Sequence, residues 1–269
     1  MADSGYKMKK VGFYRFITGS RPEHPYDSGY RVADPGITPS HNKLLHTTRW
    51  IWRCLPMTVQ SAILCILAQF YRLLRLHKNF DFHGETYSYF YHGYNKTWTN
   101  ERSIEVPIML GIVSNIDEEK ILEVGNVLSH YYVVGHDILD KYESDNFVIN
   151  QDIVNFSSDK KYNLIISISS LEHIGWDERP KDPEKVLKAV QRMRDLLAPG
   201  GQIVLTIPLG YNPVLDELMN RKVIGFSDTS YLRKISKSNR WKEVASADLV
   251  CSKSNEPYPG TNTLAIATI

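Results

Sequence analysis

The run Ser169-Ser170-Leu171-Glu172-His173-Ile174-Gly175-Trp176 sets a carboxylate beside an imidazole, directly after the apolar stretch Tyr162–Ser169. An imidazole titrates near neutrality, so His173, with Glu172 next to it, suits a general base that takes a proton from a hydroxyl or an amine. The competing reading is that His173 only orients a strand-to-helix turn through hydrogen bonds. Asp177, Glu178 and Asp182 follow closely, but read as loop acids and a helix cap; no metal is expected. Further upstream, Glu123, Gly125 and Asn126 end another apolar run. A glycine there lets the backbone approach a ligand that a Cβ would block. Asn126 tolerates a left-handed backbone better than most residues and is expected to replace a second glycine. A third run ends near Asp137 and Asp140. A carboxylate at such a strand end can accept the hydroxyl protons of a ribose. Reading VVGHD as the strand end selects Asp137 and reading HDILD selects Asp140; the short preceding loop favours Asp140.

Two further segments could meet an acceptor. Tyr89–Arg102 (YFYHGYNKTWTNER) mixes aromatics with His92, Asn95, Glu101 and Arg102. Ring faces with amide and charged partners suit a sugar; the alternative is a cap packed by its own aromatics. Tyr211 lies in the loop Pro208–Pro213, after the last run of this region.

These residues need strands that end along one edge. The sequence supplies them as Lys120–Val124, part of Val133–Asp140, Phe147–Asn150, Tyr162–Ser169 and Gln202–Ile207. The near-continuous apolar character of the fourth fits a strand covered on both faces. Little chain separates the first two strands, so the helix between them must be very short or absent. Asp182-Pro183-Glu184 starts a helix with a cap, a proline in the first turn and an acid near the positive end. Its stripe is Val186, Leu187, Val190, Met193, Leu196 and Leu197, and Pro199-Gly200-Gly201 ends it. Thr99 or Asn100 caps an earlier helix from about Glu101, with Ile104, Ile108 and Leu110 inward. Asp228–Ser238 is expected to be helical, with last strands at Trp241–Ala245 and Leu264–Ile269. Strand–helix alternation of this kind predicts an α/β, doubly wound sheet.

Three blocks in order, ILEVGNVLS, NLIISISSLEHIGW and LLAPGGQIVLTIPLG, make Ile121–Leu209 resemble a class I S-adenosylmethionine (SAM)-dependent methyltransferase with a Rossmann-like sheet. The likeness is to the kind found with surface-polysaccharide and lipopolysaccharide synthesis. It departs from the family in one place, a first loop with a single glycine. The resemblance implies SAM as cofactor and methyl transfer to a hydroxyl of a glycan or glycolipid. It implies that Gly125 and its neighbours contact the methionine part of SAM, with Glu123 near its amino group. Glu123 otherwise reads as a capping or salt-bridging carboxylate. By the same resemblance Asp152 and Ile153 read the adenine, and Ser169 and Ser170 line the SAM pocket. Asp152 otherwise reads as a turn residue. The thinned loop also motivates an alternative, a methyltransferase-like module without catalysis that serves as a scaffold at a membrane. A nicotinamide enzyme is disfavoured, because no G-x-G-x-x-G follows a strand.

The 269 residues are 42% hydrophobic and 23% charged, an ordinary globular balance. Charge is unevenly spread. Residues 1–80 carry 12 Lys and Arg against 4 Asp and Glu, a net of +8; the rest carry 20 against 26, a net of −6. An acidic body argues against nucleic acid as a partner. The basic arm suits an anionic surface or is a solvated tail. Residues 1–48 read as an irregular, basic N-terminal segment. Residues 49–80 form an apolar helix, and 81–269 the methyltransferase domain, whose cap is 81–115. In the apolar segment Val59, Ile63, Ile66, Phe70 and Leu74 repeat at helical spacing. Three readings stand: a helix packed on the domain, an interfacial membrane helix flanked by Trp50, Trp52, Arg53 and Arg72, or a membrane span. Three widely spaced cysteines and no secretory leader point to a cytoplasmic, reducing setting, on the inner face of the membrane if the helix is interfacial.

Overall fold

The computed structural model of the protein describes residues 55–74, 78–245 and 254–269. The irregular segment expected over 1–48, together with Trp50, Trp52 and Arg53, lies outside the described residues.

Eight strands form the central sheet: β3 (Ile121–Val124), β4 (Asp137–Asp140), β5 (Val148–Asn150), β6 (Tyr162–Ile168), β7 (Leu197–Pro208), β8 (Asp228–Lys234), β9 (Trp241–Val244) and β10 (Thr263–Thr268). Their order is β5-β4-β3-β6-β7-β10-β8-β9. The first five strands of this sheet, β3 to β7, pair in parallel, while β10 runs antiparallel between β7 and β8. A hairpin of β1 (Asn79–Phe82) and β2 (Glu85–Ser88) stands apart.

Successive side chains of a strand point to opposite faces, so each buried strand feeds two cores. Leu164 and Ile166 pack on one face with Ile104, Ile108 and Met109 of helix α2 (Arg102–Val113). Ile165 packs on the other with Val186, Ala189, Val190 and Met193 of α3 (Lys185–Leu196) and Leu215 of α4 (Pro213–Asn220). Helices on both faces of a mostly parallel sheet make this a doubly wound, Rossmann-like fold, as the sequence pattern predicts.

Several elements differ from expectation. Asp228–Ser238 is not a helix: Asp228–Lys234 forms strand β8. Leu232 and Lys234 alternate inward, and Asp228–Arg233 pairs along β10, so sheet pairing overrides a helical pattern that short segments hold only weakly. Helix α3 starts at Lys185 and not at Pro183; Asp182 still accepts the Glu184 N–H through its side chain, at 3.2 Å. Leu110 of α2 is half-buried and not core. Between β3 and β4, by contrast, the very short or absent helix expected is found as one 3-10 turn, Leu128–His130. In α2, Pro107 cannot donate to the Ser103 carbonyl, and Phe90 N–H fills that place at 2.8 Å.

Helix α1 (Met57–Leu74) packs on the turn Tyr94–Thr99. Ala68 is buried, Tyr71 stacks on Trp98 at 5.1 Å, and a Cβ on Gly93 would sit 3.0 Å from the backbone of Leu64 and Cys65. The apolar stripe is not the packed face. Val59, Ile66, Phe70 and Leu74 are exposed, with only Ile63 half-buried. No described helix is long and apolar enough to cross a membrane.

The chain leaves β3 for β4 and β5 on one side, then returns to lay β6 on the other. Loops after β3 and β6 therefore diverge and open a crevice at the carboxyl edge, where ligands bind in such sheets. Gly125, at φ +90°, allows these loops to meet: a Cβ there would lie 2.7 Å from Ser170 Cβ. Gly200, at φ +76°, has nothing near its missing Cβ. Urea unfolding of Gly125→Ala is expected to show a loss of roughly 2 kcal/mol or more, from both backbone strain and collision, against about 1 kcal/mol for Gly200→Ala from strain alone.

Candidate active site

Glu123 ends β3 with its side chain fully buried. One oxygen accepts the Val127 and Leu128 amides at 2.8 and 2.9 Å, and the other meets His136 Nε2 at 2.8 Å. The expected contact with a ligand amino group does not fit this arrangement: Glu123 shapes the loop. Asn126 does not take the left-handed backbone expected of it; only Gly125 in this loop has positive φ. Asn126 works through its side chain, bonding Glu143 at 2.5 Å and the Ser129 hydroxyl.

Asp140 lies at the carboxyl end of β4, beside this loop. Its Oδ1 accepts the Tyr142 and Glu143 amides at 2.8 and 2.9 Å, and Oδ2 accepts the Asn126 amide at 3.1 Å. A carboxylate offers about four lone-pair sites, so Asp140 has room for roughly one hydroxyl more. Asp137 is at the other end of β4, bound to Lys160 Nζ at 2.6 Å and Tyr162 hydroxyl at 2.8 Å. Parallel strands put all their carboxyl ends on one edge, so Asp137 is remote from the crevice and its ribose role is excluded.

Asp152 follows β5 and enters an ion network. Its Oδ2 lies 3.0 Å from Lys141 Nζ and 2.6 Å from Lys185 Nζ, and Glu178 holds the same two lysines at 2.9 and 2.6 Å. Burial opposes its charge, but the two lysines outweigh that and hold its carboxyl below the usual range. Oδ1 accepts the Val154 amide at 3.1 Å. This carboxylate is spent on the network and on its own turn. Ile153 is buried in the core beneath it.

The densest chemistry lies where β6 and β7 end under α2. Ser169 takes φ +40°, strained for a residue with a Cβ. Its amide donates to Thr206 carbonyl and hydroxyl at 3.1 and 3.0 Å, and its hydroxyl donates to Glu105. Fully buried Glu105 also accepts Thr206 Oγ1 at 2.6 Å and pairs with Arg102 at 2.7 Å; Arg102 reaches the Ile168 carbonyl at 3.2 Å. Burial works against the Arg102 charge, yet Glu105, Tyr131, Glu101 and Glu172 raise its pKa on balance. Burial and the Glu105 charge push the Glu101 carboxyl up. Lys234, itself buried, lies within the field of Glu101.

Glu172 and His173 occupy the 3-10 turn Leu171–His173. Asn212 Nδ2 donates to the Glu172 carbonyl at 2.9 Å and so fixes the turn. His173 Nδ1 is 2.5 Å from Asp177, which also accepts Tyr211 hydroxyl at 2.7 Å, and His173 Nε2 faces Glu172 Oε1 at 3.6 Å. Burial works against a charged His173, but Asp177 and Glu172 outweigh it and raise its pKa. Glu172 is 2% exposed, and burial, only partly offset by His173, pushes its carboxyl up to about 7. Among the described residues Glu172 Oε2 and Tyr131 hydroxyl, both buried, have no hydrogen-bond partner. A buried acceptor without a donor, in a cluster of Glu101, Glu105, Glu172 and Asp177, suits a ligand that carries positive charge or donates a proton.

Of the sequence-predicted residues, the structure thus brings Glu101, Arg102, Ser169, Ser170, Glu172, His173 and Tyr211 together, with Gly125, Asn126 and Asp140 on the adjoining loop. His92 lies 5.2 Å from Tyr131, edge to face, and its Nδ1 accepts the Tyr94 amide. Asn95 is exposed on the cap, where its carbonyl accepts Asn100 Nδ2. Aromatics of this cap pack on the turn after β3, with Phe90 edge-on to Tyr131 and tilted against Tyr132, and Tyr94 stacked on His130. Sequence reasoning missed Glu105, Tyr131, Thr206 and Asn212. The available signal for Glu105 was a lone acid between Ile104 and Val106 in an otherwise apolar helix.

No family model matches the chain, and no curated protein matches it. Solved structures do. The N-methyltransferase NodS of Bradyrhizobium japonicum with S-adenosyl-L-homocysteine is similar at TM-score 0.40 and 14% identity, over 62% of this chain and 85% of that one. A SAM-dependent methyltransferase of Archaeoglobus fulgidus is similar at 0.39 and 15%, over 65% and 98%. A TehB-like SAM-dependent methyltransferase of Corynebacterium glutamicum gives 0.34 and 16%, over 58% and 83%. The likeness is one of fold; the chemistry rests on the residues above.

Glu105 and Glu172 are expected to respond oppositely to neutralisation. Glu105→Gln leaves Arg102 without its buried counter-charge and should cost roughly 3 kcal/mol. Glu172 has a folded pKa near 7, above its ordinary 4.5. Its contribution to stability is therefore full below pH 4.5 and is lost as pH rises through 7. Glu172→Gln should remove that loss, worth on the order of 3 kcal/mol at pH 8, while changing little near pH 4. Urea titrations of both variants at the two pH values check this.

Proposed function

We propose that this protein is a SAM-dependent methyltransferase whose acceptor is a hydroxyl of a glycan or glycolipid. The observation that carries the reading is the buried, partnerless Glu172 Oε2 beside the His173–Asp177 pair, at the crevice where the loops after β3 and β6 part. SAM supplies an electrophilic methyl group on a cationic sulfur. This chain would hold it with the Gly125–Asn126 loop, Asp140 at a ribose hydroxyl, and Ser169 and Ser170 along the floor. The buried carboxylates favour its positive charge. Asp177 fixes the His173 ring through Nδ1, so Nε2 points to Glu172 and the crevice. A hydroxyl keeps its proton at neutral pH and needs a base in place, and the Glu172–His173 pair can receive that proton as the new C–O bond forms. The crevice lies under α2, with water kept from Glu105 and Glu172 by their burial. Tyr211 and Arg102 flank the acceptor side. The glycan part of the reading rests on the resemblance stated from sequence.

A second reading has its own support. Asp152, the acid expected at the adenine, is paired with Lys141 and Lys185, and Glu123 is buried against the loop amides and His136. Both suit a methyltransferase-like module that binds no SAM. Calorimetric titration of the full chain with SAM and S-adenosylhomocysteine separates the two. Binding that weakens about tenfold in Asp140→Ala is the expected result; no heat at millimolar ligand leaves the module reading standing. In methyl transfer into extracted glycans and lipids, His173→Gln should lower kcat by roughly 10²–10⁴. Asp177→Asn should lower it less and shift the pH profile. Unchanged rates in both variants would remove the base role from this pair.

A further inference from the structure

Helix α1 buries Ala68 and turns several of its large apolar side chains outward. Ile66 is 68% exposed, Phe70 55%, Leu73 80% and Leu74 57%, with Val59 and Leu67 beside them. Exposed apolar side chains in one contiguous stripe mark an interaction surface. Its opposite side is already committed: Ala68 is buried, Tyr71 stacks on Trp98, and Gly93 lies against the helix backbone.

Charge decides what covers the stripe. No carboxylate occurs anywhere from residue 35 to residue 80, where Lys43, Arg49, Arg53, Arg72, Arg75 and Lys78 all fall. The helix has no acid in its first turn and ends on exposed Arg72, followed by exposed Lys78. A long acid-free, cation-flanked apolar surface is complementary to an anionic lipid headgroup layer, with cationic heads in the headgroups and Ile, Phe and Leu beneath them. A second copy of the same helix would bring like charges together. The 18 residues of α1 also supply only about two heptads, short of the three to four that a coiled coil sustains.

We propose that the outer face of α1 docks this protein on anionic membrane surfaces, lying in the plane of the interface and not crossing it. Trp98, stacked on α1, precedes Glu101 and Arg102 by a few residues, so docking would hold the catalytic cluster close to the lipid surface.

Sedimentation of the full chain with phosphatidylcholine vesicles, with and without phosphatidylglycerol, tests this and reads no catalysis. The expected result is co-sedimentation with the anionic vesicles only. It should weaken in high salt and fall at least about tenfold in Phe70→Ser/Leu73→Ser, whose exposed positions spare the fold. A chain that stays in the supernatant, or a variant that binds as tightly as the parent, overturns the proposal. So does a parent dimer in light scattering that the same variant converts to monomer, since the stripe would then join two copies.

Discussion

The Glu105 carboxylate ties this molecule together. It accepts the hydroxyls of Ser169 and Thr206 and the guanidinium of Arg102, from a position with no exposure to water. Through it α2, β6 and β7 share one charge-assisted joint. Ser169 is thereby held in a backbone conformation that a serine avoids on its own, and the turn Leu171–His173 is launched in a fixed direction. Remove that anchor and neither the crevice beside Gly125 nor the placement of Glu172 follows from the sheet alone. A buried ion pair is seldom a net source of stability; its use here is to fix geometry.

Around this joint the protein divides its acids by environment. Asp152 and Glu178 are neutralised by lysines, Asp140 by amides, and Glu123 by amides and an imidazole. Glu172 alone among these combines deep burial with an oxygen that meets no donor among the described residues. Such a group titrates near neutrality because its charged form is poorly solvated, which is the condition a proton acceptor at neutral pH requires. The neighbouring His173, tied by Asp177, is pushed the opposite way from a simple buried imidazole.

Helix α1 shows how a pattern can be right and its orientation wrong. The spacing of Val59, Ile63, Ile66, Phe70 and Leu74 identifies a helix with an apolar stripe. It does not say whether that stripe faces a core or solvent. Tyr71 and Ala68, on the less conspicuous side, make the packing contacts, where Gly93 permits a close backbone approach.

The sequence alone determined the sheet class and its parallel strands, since buried strands with apolar runs and capped helices between them leave few alternatives. It also determined that the Glu172–His173 pair follows β6, a matter of local order along the chain. Tertiary structure decided which acid stands at the carboxyl edge: Asp137 and Asp140 are three residues apart, and only the strand's ends separate them. It decided that Asp228–Lys234 is a strand, because pairing with β10 lies about thirty residues away in sequence. It decided as well that Glu105 belongs to the site, since its partners Ser169 and Thr206 are 64 and 101 residues distant. Local propensity and spacing are written in neighbouring residues; burial, charge compensation and register depend on what the fold brings beside them.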